Sequence, residues 1–197
     1  MAFHLGLTGS IGMGKSTTAK LFAEVGCAVW DADAAVHRVY GEGGAAVDPI
    51  SNVFPDVVVK GVVDRQVLKT IIAKDPSALK RIEAIVHPLL GEDRETFKAE
   101  ATQDILVFDI PLLFETGGNK AMDAVACVHV DAATQERRVL ARGTMTKEQF
   151  EMIREKQMPS EEKCARSDYV IVTDTLDHAR KQVQDIVSSI RRNLNHA

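Results

Sequence analysis

Residues 6–17 read GLTGSIGMGKST, with glycines at 9, 12 and 14 directly after the short apolar run AFHLGLT at 2–8. A loop stripped of side chains in this way leaves its backbone amides free to wrap around an anion. The stretch that follows, KSTTAKLFAEVG at 15–26, places Leu21, Phe22 and Val25 on one helical face and closes on Gly26, a residue suited to a helix C-terminus. The order is therefore strand, glycine loop, helix.

Four further strands are expected from the pattern downstream: CAVWDAD at 27–33, DILVFDIPLLFE at 104–115, DAVACVHVD at 123–131 and SDYVIVTD at 167–174. The apolar run 105–108 is continuous, as in a strand buried on both faces of a parallel sheet. A last helix is expected over 176–194, where Leu176, Ala179, Val183, Ile186, Val187, Ile190 and Leu194 recur at steps of three or four. Strands alternating with helices imply right-handed βαβ crossovers and an α/β fold with a five-stranded parallel sheet between helical layers. Two intervals break the rhythm. Residues 34–102 read as a helical insert, with Pro88 bending or ending one helix, and GEGG at 41–44 as a turn. Residues 132–166 are rich in Arg, Lys, Glu and Met and read as a small lid outside the core. The core is then about 1–33, 103–131 and 167–197 of a single domain.

The chain of 197 residues carries 24 Lys and Arg against 28 Asp and Glu, a formal net charge of −4, so no broad basic surface is expected and nucleic acid is disfavoured as a partner. Cys27, Cys127 and Cys164 are odd in number and widely spaced, which suggests neither a disulfide framework nor a zinc site. His4, His37, His129, His178 and His196 show no ligand spacing. With no apolar stretch near the ~20 residues of a membrane span, a soluble cytoplasmic chain without a membrane partner is the expectation. Oligomeric state is not readable from the sequence.

Gly9-Ser10-Ile11-Gly12-Met13-Gly14-Lys15-Ser16 satisfies G-x-x-x-x-G-K-[ST] between a strand and a helix, which is the setting a P-loop requires. Its amides and the helix N-terminus form an anion nest; Lys15 reaches terminal phosphates and the Ser16 hydroxyl can ligate Mg²⁺. Asp109, at the end of the buried strand, fits a carboxylate for that metal and its waters, or else caps the turn before Pro111. The pair Asp31 and Asp33, if both are extended, points to one side of the chain at a strand end. There Asp33 either accepts a proton from an attacking hydroxyl or N-caps the next helix. Arg138 and Arg142 are i,i+4 neighbours, beside Arg137, and read either as a solvated face or as lid arginines over a transferred phosphoryl group.

A P-loop alone specifies only a nucleotide. A GTP switch needs N-K-x-D and D-x-x-G; Asn119-Lys120-Ala121-Met122-Asp123 misses the first and the second is absent. A motor or transporter subunit needs more chain, so a small-molecule kinase fits best, with another hydroxyl acceptor such as a nucleoside or nucleotide as the alternative to the acceptor named next. The sequences LTGSIGMGKST, VWDADAAVH, VDRQVL, RIEAIVHPLL, VFDIPLLFE, RVLARGTMTKEQF, EKQMP and SDYVIVTD, in this order, resemble the dephospho-coenzyme A kinase family from about residue 5 to 190.

The resemblance implies ATP- and Mg²⁺-dependent phosphorylation of the ribose 3′-hydroxyl of dephospho-coenzyme A. It implies phosphate binding by Gly9, Ile11, Gly12, Met13, Gly14, Lys15, Ser16 and Thr17, with Asp33 as base and Arg142 as the lid arginine. It also implies an acceptor site shaped by Thr8, Asp33, His87, Asp109, Leu112, Leu113 and Glu115. Gln157 matches a glutamine after the lid. Where relatives commonly carry asparagine and a small residue near the adenine, this chain has Thr173-Asp174.

Overall fold

The computed structural model describes residues 2–195. It divides into two compact units, Met1–Trp30 with Ala101–Ala197, and Asp31–Glu100.

The first unit is built on the expected sheet. Strands β1 (Phe3–Thr8), β2 (Ala28–Asp31), β5 (Ile105–Asp109), β6 (Ala124–His129) and β7 (Tyr169–Val172) lie in the order β2-β5-β1-β6-β7. The pairs β1 with β5, β1 with β6 and β6 with β7 are parallel. Leu5, Leu7, Ile105, Val107, Ala126 and Val128 on the three central strands are fully buried, because a central parallel strand is covered on both faces; Ile171 on the edge strand β7 is fully buried too. Helix α1 (Lys15–Glu24) adds Leu21 and Phe22 to this core and ends as expected, with Gly26 at φ 87° and its amide donating to the Ala23 carbonyl. Helix α9 (Leu176–Asn195) buries Ala179, Val183, Ile186, Val187 and Ile190, while Leu176, assigned to the same face, is half exposed.

The interval 132–166 folds as α6 (Ala132–Ala141), α7 (Lys147–Lys156) and α8 (Ser160–Ala165). Its composition suggested a segment standing off the core, but Val139, Phe150 and even Lys163 are buried within the first unit. A few well-placed side chains anchor each helix, and the many charges between them cover the outer faces.

The second unit contains α2 (Ala32–Tyr40), α3 (Val47–Val53), the strands β3 (Val58–Val59) and β4 (Val62–Val63), α4 (Arg65–Lys74) and α5 (Ser77–Glu100). Its core is Val39, Ile50, Val57, Leu68, Ile82 and Val86. One reading of this insert is corrected. It is not wholly helical: β3 and β4 pair as an antiparallel hairpin through Lys60 and Gly61, whose φ values of 52° and 78° match a tight mirror-image turn. Of the two alternatives at Pro88, bending or ending a helix, the ending does not occur, since α5 runs through it for 24 residues and the burial of Ala78, Ile82 and Val86 outweighs the lost backbone bond. The GEGG turn is as expected, with the Gly44 amide donating to the Gly41 carbonyl at 2.9 Å. Among the described residues, no helix is long and apolar enough to cross a membrane.

Pro88→Ala restores an amide donor inside α5, so urea unfolding is expected to show a gain of about 1–3 kcal/mol. An unchanged or lower midpoint would mean that the ring itself makes compensating contacts.

Candidate active site

The glycine loop is held from outside by side chains and left bare inside. The Ile11 amide donates to Gln157 Oε1 at 3.3 Å, and the Ile11 carbonyl accepts from Gln135 Nε2 at 2.7 Å. The Met13 carbonyl accepts from the Thr173 hydroxyl at 2.7 Å, and the buried Met13 sulfur accepts from the Val130 amide at 3.2 Å. Gly12, at φ 79°, lies so close to α6 that a Cβ would meet Val139 Cγ2 at 2.5 Å. Gly14 precedes α1 at φ 91° and brings no capping side chain. The first-turn amides at Lys15, Ser16 and Thr17 therefore keep the unfilled donor capacity that every helix N-terminus has, and the macrodipole adds positive potential there. Such an arrangement binds an anion through the backbone.

Lys15 extends from the first residue of α1 to an ion pair with Asp109, which is 1 % exposed at the end of β5. Ser16 and Thr17 are exposed on the same turn. The structure thus brings together Lys15, Ser16 and Asp109, the P-loop lysine, hydroxyl and strand-end carboxylate.

Arg142, at the C-terminus of α6, is exposed and lines a cavity of about 260 Å³ with Gly12, Gly14, Thr17, Arg138 and Thr173. Arg138 is fixed there, donating to the Thr173 carbonyl at 2.6 Å and to its hydroxyl at 3.2 Å. Arg137 instead donates to Thr134 Oγ1 at 3.1 Å. Arg138 and Arg142 therefore face the cavity beside the loop, and of these two Arg142 is the exposed residue. Thr173 binds the loop through its hydroxyl.

The residues of the segment after β5 that were expected to shape an acceptor site lie at different depths. Thr8 is buried and donates to the Pro111 carbonyl at 3.1 Å, and the same carbonyl accepts from Lys163 Nζ at 3.0 Å. Leu113 is fully buried with Phe114 and Val125, whereas Leu112 is exposed. Glu115 pairs with the fully buried Lys163 at 2.9 Å and accepts from the Met158 amide at 3.0 Å. Burial alone would raise the Glu115 carboxyl, but the Lys163 hydrogen bond and the Met158 amide together hold it below the usual range.

In the second unit, Asp31 and Asp33 do not form an extended pair. Asp31 ends β2 and N-caps α2, accepting from the Ala34 amide at 3.0 Å; Asp33 lies in the first turn of that helix and is exposed. The capping task assigned to Asp33 belongs to Asp31, and among the described residues no hydrogen bond or ion pair engages the Asp33 carboxylate. His87 lines a groove of about 290 Å³ within the same unit, with Val36, Tyr40, Leu68 and Ile82. Among the described residues no cluster of His, Cys, Asp and Glu could hold a metal alone, and His196 lies outside them.

Gln135, Lys163 and Thr173 escaped the reading of the sequence as site-building residues. Gln135 stands on an amphipathic helix and Lys163 follows two glutamates, so each resembles a solvated position; no local signal marks them. The hydroxyl of Thr173 at the end of an apolar strand was visible, but its loop contact required the fold.

The sheet order, the loop between β1 and α1 and the Lys15–Asp109 pair define a P-loop kinase fold. The dephospho-CoA kinase family model matches residues 3–178. The chain belongs to that family. It is 71 % identical over 197 residues to the dephospho-CoA kinase of Ruegeria pomeroyi, covering 100 % of each sequence. A Thermus thermophilus crystal structure superposes with a TM-score of 0.86 at 30 % identity, over 95 % of this chain and 97 % of that one. The dephospho-CoA kinase of Campylobacter jejuni shares the fold, with a TM-score of 0.71 at 21 % identity over 98 % and 99 % of the two chains.

Lys163→Met keeps most of the buried volume but leaves Glu115 without its cation, a change expected to cost about 3 kcal/mol at neutral pH. Because the folded Glu115 carboxyl titrates below its ordinary value of 4.5, the pair's contribution is full above that pH and is lost as acid protonates the folded carboxylate. Urea unfolding at pH 7 and again near the acid limit checks this. Equal losses at both pH values would show that packing, rather than charge, explains the effect.

Proposed function

We propose that the chain transfers the γ-phosphate of ATP to the ribose 3′-hydroxyl of dephospho-coenzyme A, releasing coenzyme A and ADP. The observation that carries this reading is the loop at 9–16: pinned by Gln135, Gln157 and Thr173, open at its inner amides, and completed by Lys15 and Asp109. The phosphate tail enters the nest, and Lys15 exchanges part of its pairing with Asp109 for the terminal phosphates. Ser16 and Asp109 suit Mg²⁺, a hard cation that takes one or two protein oxygens together with phosphate and water oxygens, and which would neutralise charge on the β- and γ-phosphates.

In-line transfer asks the protein mainly for positioning and charge. Asp33, free of capping duty, accepts the proton of the 3′-hydroxyl as that oxygen bonds to the γ-phosphorus and the bond to the ADP oxygen breaks. Arg142 stabilises the charge spread over the transferring group, while Arg138 keeps the adjacent loop after β7 in place. Leu112 and His87 offer accessible surface to the acceptor. Leu113 and Glu115 support their segment from beneath, and Thr8 does so through Pro111. The proposed partners are these small molecules, in the cytoplasm.

The test of the base is Asp33→Asn, which should lower turnover by roughly 10²–10⁴-fold while leaving ATP affinity intact. Near-normal turnover would remove Asp33 from that role. A panel of hydroxyl acceptors offered with ATP and Mg²⁺, read as acceptor-dependent ADP, should show clear preference for dephospho-coenzyme A; a stronger response to another acceptor would overturn the substrate assignment.

A further inference from the structure

Two of the three cysteines, 37 positions apart in sequence, meet behind the P-loop. Cys127 lies on β6, fully buried, and Cys164 lies on α8, half-buried; the Cys164 thiol donates to the Cys127 sulfur across 3.7 Å. No other sulfur-to-sulfur contact occurs among the described cysteines, and Cys27 sits apart in the sheet core. The two sulfurs need to close by only about 1.6 Å to reach bonding distance.

Their neighbours connect the pair to the site. Cys127 is the register partner of Thr8, the residue before the loop. The Thr8 hydroxyl shares the Pro111 carbonyl with Lys163, which directly precedes Cys164 and also holds Glu115. A shift of Cys164 toward β6 therefore displaces the ammonium that organises the segment running on from Asp109.

We propose that Cys127 and Cys164 are a modification site: a hydroperoxide converts them to an intramolecular disulfide that lowers turnover until a thiol reduces it. Cys164, the less buried of the two residues, attacks as thiolate; the peroxide O–O bond breaks, leaving a sulfenic acid on Cys164 and, from hydrogen peroxide, one water. Cys127 then gives up its proton and attacks the Cys164 sulfur, the S–O bond breaks and a second water leaves. Two thiols lose two electrons and the peroxide gains them. Burial, and then the neighbouring Cys164, push the Cys127 thiol well above its ordinary value, consistent with Cys127 acting second, as the resolving partner.

The disulfide stands on geometry alone, whereas its effect on turnover rests on the proposed kinase activity. The experiment treats the reduced full-length chain with graded hydrogen peroxide and follows non-reducing peptide maps together with ADP release. The expected result is a Cys127–Cys164 cross-linked peptide and, in parallel, a fall in turnover of about tenfold or more, as for sub-ångström to ångström misplacement of a reacting group, both reversed by dithiothreitol. Cys164→Ser and Cys164→Ala should keep reduced-state activity, form no cross-link and resist that reversible loss; Cys27→Ser should respond like the parent chain. Oxidation of Cys164 to higher acids without the cross-link overturns the site. A cross-link that leaves turnover unchanged overturns the switch, and a reduced chain that lacks dephospho-coenzyme A-dependent turnover contradicts the kinase reading instead.

Discussion

At the mouth of the glycine loop an ammonium and a nearly buried carboxylate, Lys15 and Asp109, face each other, and the arrangement around them follows from that pairing. A buried ion pair gains little net stability over an apolar substitute, because both charges must leave water. It fits a site that must present a cation to phosphate and a carboxylate to a metal. In the proposed reaction a bound triphosphate gives Lys15 a competing anion and releases Asp109 from part of its pairing.

That exchange demands a loop that does not collapse when its lysine moves. The restraint comes from side chains outside the nest. Gln157 and Gln135 occupy the backbone amide and carbonyl of Ile11, and Thr173 holds the Met13 carbonyl. Each is a neutral hydrogen bond of modest net value, about 1 kcal/mol. Together they occupy the backbone groups of Ile11 and the Met13 carbonyl, and none of them takes up the amides of Lys15, Ser16 and Thr17. The source of these restraints joins distant segments: Gln135 and Gln157 lie in the interval after β6, and Thr173 follows β7. Arg138 bonds to Thr173 as well, so the arginine-bearing helix and the loop share a support.

The strands and the loop were legible because their signals are local, whereas the order of the strands in the sheet came only with the fold. Continuous apolar runs mark buried parallel strands, and a glycine-rich turn before a lysine and hydroxyls marks the phosphate nest. The last helix could be read for the same reason, except at Leu176, which occupies the right phase but lies at the helix start, where it borders the cavity instead of the core. What could not be read depends on tertiary partners. Nothing local distinguishes Lys163 from a surface lysine until Pro111 and Glu115 surround it. Asp31 and Asp33 could be assigned to the right region, but their division between cap and free carboxylate turns on which residue begins α2, and helix boundaries are the least local part of such a reading. Pro88, read as bending or ending a helix, does not end one: there the packing of a long helix outweighs a strong local signal.

The most direct test of the nest is calorimetric titration of ATP with Mg²⁺ into the parent chain and Lys15→Ala. The geometry predicts one ATP per chain for the parent and binding weakened at least tenfold, about 1.4 kcal/mol, in the variant, which keeps its fold. Undiminished binding in Lys15→Ala would place the triphosphate elsewhere and contradict the central role given to residues 9–16.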